Sequence, residues 1–192
     1  EFIEVGFAVD HPPGFAQARL DKGFDATNLV SIAVSPGPDA PKKGAELERE
    51  ILERLRITPF VQSVSLTASP PPTTQSGTMA PLTIEGRPSS DAWIMLHLKD
   101  GDPEYFSTMG IQIIQGRPFD ATTRPEQIVI DERFARRFWP DGSALGARFR
   151  LGTATHSGVS VYEVIGVSRE MRPDRLSNDR GEEVFVGYFR LA

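Results

Sequence analysis

The run AELEREILERLRI, residues 45–57, constrains the fold more than any other stretch of the chain. Leu47, Ile51 and Leu55 recur at four-residue spacing with Leu52 beside them, which lays one apolar stripe along a helix. Glu50 and Arg54 form an i,i+4 pair in the favourable order, and Pro59 stops the helix. On both sides the period changes to two. TNLVSIAVSP (27–36) alternates as a half-buried strand, and FVQSVSLTA (60–68) returns as another through Val61, Val64 and Leu66. Strand, helix and strand on short connections make a β-α-β unit, right-handed by the rule for such crossovers. The stripe is expected to be buried against the strand pair.

Elsewhere proline and glycine cut the chain into short pieces. Pro12, Pro13 and Gly14 exclude a long helix near the start, and FAQARLDKGFD (15–25) reads as a short helix ending at Gly23. SPPPTTQSGTMAP (69–81) reads as a polar loop. Pro70, Pro71 and Pro72 donate no backbone hydrogen bonds and favour an extended, solvated stretch. Gln75 and its polar neighbours add little apolar area to dock it. Such a loop is either a plain connector or a contact for a partner.

LTIEGR (82–87) and AWIMLHLK (92–99) read as strands around a turn. In DPEYFSTMGIQIIQGRPF (102–119), Asp102 suits an N-cap, Pro103 a first helical position and Gly110 a left-handed stop. A turn or two of helix is expected over 103–109, then a short strand over 111–115. The grammar repeats downstream: a strand over 127–130, Asp131 as cap, a helix with Phe134 and Phe138 one turn apart, and a stop at Pro140. Strands follow over 147–151, 159–170 and 182–190. Many strands and few short helices define an α+β chain.

The search for chemistry finds no enzyme. The chain has no cysteine, which excludes disulfides, thiolate metal sites and cysteine nucleophiles. His11, His97 and His156 have no ligand-like spacing, so neither a metal nor a cofactor is expected. DGDPE (100–104) fails the calcium-loop pattern, because Tyr105 and Ile111 stand where Gly and Glu are needed. GSALG (142–146) has its serine one place too early for a nucleophile elbow. A net charge of −5 leaves no footprint for nucleic acid. Arg133, Arg136, Arg137, Arg148 and Arg150 form either a solvated face beside Asp131, Glu132 and Asp141 or a surface for an anionic partner. Phe134, Phe138 and Trp139 read as core rather than as a binding patch. No run approaches the ~20 apolar residues of a membrane helix. The start at Glu1 reads as that of a fragment or a processed product.

EYFSTMGIQIIQGRPF, then IVIDERFARRFWPDGSALGARFRLG, then YEVIGVSREMR resemble, in order, the MacB-like periplasmic core domain of bacterial ABC-transporter permeases, in its acidobacterial-type form. The matching residues are Tyr105, Phe106, Gly110, Ile111, Gly116, Arg117, Phe119, Ala135, Arg136, Trp139, Pro140, Gly146, Arg148 and Val164–Val167 with Gly166. Upstream, Gly23, Phe24 and Asp25 match the family's Gly-Phe-Asp opening. The resemblance implies a non-catalytic extracytoplasmic domain of an inner-membrane protein. It implies a segment leading in from a membrane helix (1–26), a porter-like subdomain (27–81 with 162–192) and an inserted, β-rich sabre-like subdomain (82–161). It also implies partners: the permease's own membrane helices, a cytoplasmic ATPase, a second copy of the permease, and in efflux systems a periplasmic adaptor and an outer-membrane duct. The family pattern continues past VFVGYFR with a further β-α-β segment, whereas this sequence ends at Ala192. The residues themselves leave two other classes open, a stand-alone periplasmic ligand-binding module and a small enzyme with an unrecognised site.

Overall fold

The computed structural model describes residues 3–9, 28–34, 44–67, 77–87, 93–152, 159–170 and 184–190. Two sheets organise them. The small sheet has three strands in the order β2 (Leu29–Val34), β1 (Ile3–Val9), β3 (Val61–Thr67). Both outer strands run antiparallel to β1. Hence β2, helix α1 (Gly44–Arg56) and β3 form the expected β-α-β unit with a foreign strand threaded through its middle. That strand, IEVGFAV, has no counterpart in the sequence reading. Ile3, Val5, Phe7 and Val9 alternate with Glu4, Gly6 and Ala8, but the prolines after them suggest irregular chain.

Helix α1 lies over β3. Ile51, Leu52 and Leu55 pack with Val61 against Val64 and Leu66. The stripe is half-buried rather than buried, and Leu47 is exposed. Val30 and Ile32 on β2 are exposed as well, so the helix covers only part of the sheet. Ile51→Ala is therefore expected to cost about 1–2 kcal/mol in urea unfolding, below the ~2–5 of a fully buried site.

The large sheet has the order β6 (Ile113–Gly116), β9 (Val159–Ser168), β7 (Gln127–Asp131), β10 (Val184–Arg190), β5 (Trp93–Gly101), β4 (Gly77–Ile84), β8 (Arg148–Gly152). A further pairing of β8 with β9 curls it back on itself. Strands β10 and β5, and β7 and β9, pair in parallel; the other neighbours are antiparallel. Inside the curl lie Leu82, Leu96, Ile128, Ile130, Phe149, Val164 and Phe185. Helix α3 (Glu132–Phe138) drives Phe134 into that core. The fold class is α+β.

The hydrogen bonding groups the strands differently from the expected division. Strands β9 and β10 belong with β4–β8, not with residues 27–81. VFVGYF is apolar nearly throughout because β10 is a central strand, paired with β5 on one side and β7 on the other. Residues 77–81, read as loop, open strand β4 despite Pro81. Gly23, Phe24, Asp25, Pro70, Pro71, Pro72 and Gln75 lie outside the described residues, as do His11, His156 and the helix expected over 15–25.

Candidate functional site: the joint between the two sheets

The residues that carry the sequence motifs assemble around helix α2 (Tyr105–Thr108). This single turn follows β5 and sits where the two sheets meet. Its end is as expected. Gly110 takes φ +64°, Gly110 N–H donates to Ser107 O and Ile111 N–H to Phe106 O, which closes the turn in a Schellman arrangement. Its start is not as expected. Glu104 occupies the N-cap with no side-chain bond. The Asp102 carboxylate is used elsewhere, on strand β3.

That engagement joins the sheets. Asp102 Oδ1 accepts from Ser65 Oγ at 2.7 Å and Oδ2 from Leu66 N at 3.1 Å. Asp102 N–H donates to Leu66 O at 3.1 Å. One residue along, Thr67 Oγ1 donates to Asp100 O at 2.7 Å. Ser65 and Thr67 are fully buried, so the alternation of SVSLT faces apolar side chains to α1 and small hydroxyls to the joint. Burial raises the pKa of Asp102, and the bonds from Ser65 and Leu66 oppose that rise.

Aromatic rings fill the other side. Tyr105, Phe106 and Tyr188 meet with centroids 5.2–6.0 Å apart, and Phe119 lies 5.0 Å from Phe106. Met109, Ile111, Val129 and Val186 complete the cluster, and Leu29 from the small sheet packs on it. Tyr105 lies so close over Gly101 that a Cβ there would fall 2.4 Å from the ring. Burial pushes both tyrosine hydroxyls well above their ordinary range.

The other motif residues interlock behind this cluster. The Arg117 carbonyl lies against Gly166, with 2.3 Å to the position a Cβ would take. Gly116 takes φ +70° and Arg117 N donates to Ile165 O. The Arg117 guanidinium reaches Asp120 at 2.7 Å and Thr123 at 3.1 Å, which ties down the turn before β7. Gly146 N–H donates to Val164 O, and Arg148 pairs with Glu85 at 3.6 Å. Trp139 packs on Phe134, and exposed Pro140 follows it.

Arg87, which no motif singles out, lies 5.7 Å over the Trp139 ring and donates to Phe138 O. The arginine cluster is largely matched within the chain. Arg133 and Arg136 both reach Glu170, at 2.8 and 3.0 Å, Arg136 also reaches Glu132 at 2.7 Å, and Arg150 lies 4.0 Å from Glu85.

Asp131 caps α3 as expected, accepting from Phe134 N at 2.8 Å. Burial pushes its carboxyl up to about 7, against opposing bonds from the Phe134 and Val186 amides. The unfolded chain releases this proton near the ordinary 3.8, so between there and about 7 the folded form holds the extra proton. Stability is therefore expected to fall as pH rises through that window, by on the order of 4 kcal/mol. Urea unfolding at pH 4.5 and pH 8 measures the fall, and Asp131→Asn should remove most of it while keeping a capping oxygen.

Among the described residues no group of three or more His, Cys, Asp or Glu side chains could hold a metal ion. His97 is half-buried on β5, and burial, with Lys99 nearby, lowers its pKa. No described helix is long and apolar enough to cross a membrane.

A family model described as the MacB-like periplasmic core domain matches residues 14–191. The chain belongs to that family. MacB-like domains are non-catalytic periplasmic or extracellular parts of ABC-type membrane permeases. No curated protein matches the chain in sequence. Among solved structures, it is similar to the periplasmic region of MacB from Actinobacillus actinomycetemcomitans, at 15% identity and TM-score 0.47, covering 98% of this chain and 64% of that one. The extracellular domain of the noncanonic ABC-type transporter YknZ from Gram-positive bacteria gives 15%, 0.44, 98% and 73%. A Porphyromonas gingivalis domain assigned to a permease protein gives 16%, 0.41, 60% and 46%. This MacB-like chain thus spans between 46% and 73% of the length of these three structures.

Proposed function

We propose that this MacB-like domain transmits ATP-driven movement from membrane helices to the extracytoplasmic side of a dimeric efflux permease of the inner membrane. A cytoplasmic ATPase drives the cycle, and a periplasmic adaptor with an outer-membrane duct receives it. In this reading the small sheet with α1 is the core of the porter-like part and the curled sheet the main body of the sabre-like part. The observation that carries the reading is the Asp102 joint. Two sheets are held together by directional, partly buried hydrogen bonds and by a cluster of edge-on and tilted rings on which Leu29 of the small sheet packs. A domain that passes on force needs such a joint, because a compliant one would absorb the stroke.

These 192 residues contain no cysteine, so a label placed in them meets no competing thiol within the domain. Spin labels are placed at Gln62→Cys on β3, or at Ser143→Cys in the exposed turn before β8, in the full-length permease reconstituted with its ATPase. Distances between the two copies are read with and without ATP. Both labels should shift together on ATP binding. Equal distances in the two states would refute mechanical transmission.

A further inference from the structure

We infer that the buried polar cluster between α2 and the curled sheet is a binding site for internal water, shared by the hydroxyls of Tyr105, Tyr188 and Ser168 beside the Asp131 carboxyl. The side chains of Tyr105, Tyr188 and Ser168 have no exposed surface, and Thr108 is 4% exposed. None of these four hydroxyls has a hydrogen-bond partner among the described residues. A buried hydroxyl left dry and unpaired is costly, and buried polar groups in folded proteins are paired with protein or with ordered water. Four in one joint call for a common partner.

The strand pairing and α2 bring these groups together. Tyr188 stands on β10 between Lys99 of β5 and Val129 of β7. At the end of β7, Asp131 lies beside Ser168 of β9. Tyr105 and Thr108 are one turn apart on α2, hence on one face of it. The Tyr105 and Tyr188 rings lie 6.0 Å apart. Burial first, then neighbouring Tyr105 and Asp131, hold the Tyr188 hydroxyl protonated, and Ser168 opposes them. All three groups therefore surround that hydroxyl. Ser168 is close enough to act on it, yet no direct bond joins the two oxygens.

Water fits this chemistry. Each hydroxyl offers one donor and two acceptor lone pairs. A molecule that donates twice and accepts twice satisfies two or three of them at once, which is the usual load of a buried water. Asp131 already accepts from the Phe134 and Val186 amides, and its remaining lone pairs are open to a water O–H. Phe106, Met109, Val129 and Val186 are buried around the cluster and close it with apolar side chains. Water held there ties α2, which directly follows the Asp102 joint, to β9 and β10 of the curled sheet.

The test compares the 192-residue chain with its Tyr105→Phe, Tyr188→Phe and Ser168→Ala variants in thermal unfolding. Each substitution removes one hydroxyl and keeps the rest of the side chain. With water serving the hydroxyls, each should lower the midpoint by about 2–4 °C. Tyr105→Phe combined with Tyr188→Phe should lose less than the sum of the two, because both hydroxyls use the same water. Dry, unpaired hydroxyls predict the opposite sign: each variant would raise the midpoint, since an uncompensated polar group is gone. A high-resolution crystal structure should show a density peak about 3 Å from at least two of Tyr105 Oη, Tyr188 Oη and Ser168 Oγ, and Tyr188→Phe should lose it. Raised midpoints, additive losses, or hydroxyls bonded directly to one another with no peak between them would each overturn the inference. So would a midpoint that changes when choline replaces sodium at equal ionic strength, which would give the site to a cation.

Discussion

Phe134→Ala is expected to destabilise the domain by about 3–5 kcal/mol, the range for deleting a fully buried aromatic ring. Phe134 has no exposed surface, and four rings surround it: Phe138 at 5.1 Å, Phe185 at 5.3 Å, Phe149 at 5.5 Å and Trp139 at 6.0 Å. They come from α3, the segment after it, β8 and β10. No single neighbour can move to fill the gap, because each is fixed in a different element. Urea unfolding should show a lower midpoint with an unchanged slope. A loss below about 1 kcal/mol would mean that α3 does not plug the curled sheet.

The second large effect is expected at Gly166, where alanine should cost about 3 kcal/mol. A Cβ there would fall 2.3 Å from the Arg117 carbonyl oxygen and 3.3 Å from Val129 Cγ2. The first of these is backbone, tied back by the Arg117 N–H to Ile165 O bond at 3.1 Å, so the clash cannot be relieved by a rotamer change. Gly142→Ala is the control, since nothing lies within 4 Å of a Cβ there. Equal thermal midpoints for the two variants would remove the account of why these two motifs interlock.

Much of the local structure was legible because local rules govern it. The Asp131 cap, the Gly110 stop, the helix ending before Pro59 and the Phe134–Phe138 pair depend on residues within one or two turns. What was not legible depends on pairing at a distance. Strand β1 is central to the small sheet; Ile3, Val5, Phe7 and Val9 do alternate with Glu4, Gly6 and Ala8, but nothing local says that the strand inserts between β2 and β3. The apolar run of β10 states that the strand is buried, not that it lies between β5 and β7. Asp102 had two possible uses, helix cap or cross-link to β3. Only the approach of Ser65 and Leu66, more than thirty residues earlier, decides between them. The stripe on α1 shows the limit of periodicity: it gives the direction of Ile51 and Leu55 but not how much sheet lies beneath them.

The joint is the centre of the account, and hydrogen exchange of the Leu66 amide tests it most directly. This amide donates to the Asp102 carboxylate at 3.1 Å. If the two sheets form one body, Leu66 should be protected as strongly as Val129 and Tyr188 in the curled sheet. Asp102→Ala should then speed exchange throughout β1 and β3 while leaving β7 and β10 slow. Exchange in the unaltered chain that is already far faster at Leu66 than at Val129, and unchanged by the substitution, would contradict it.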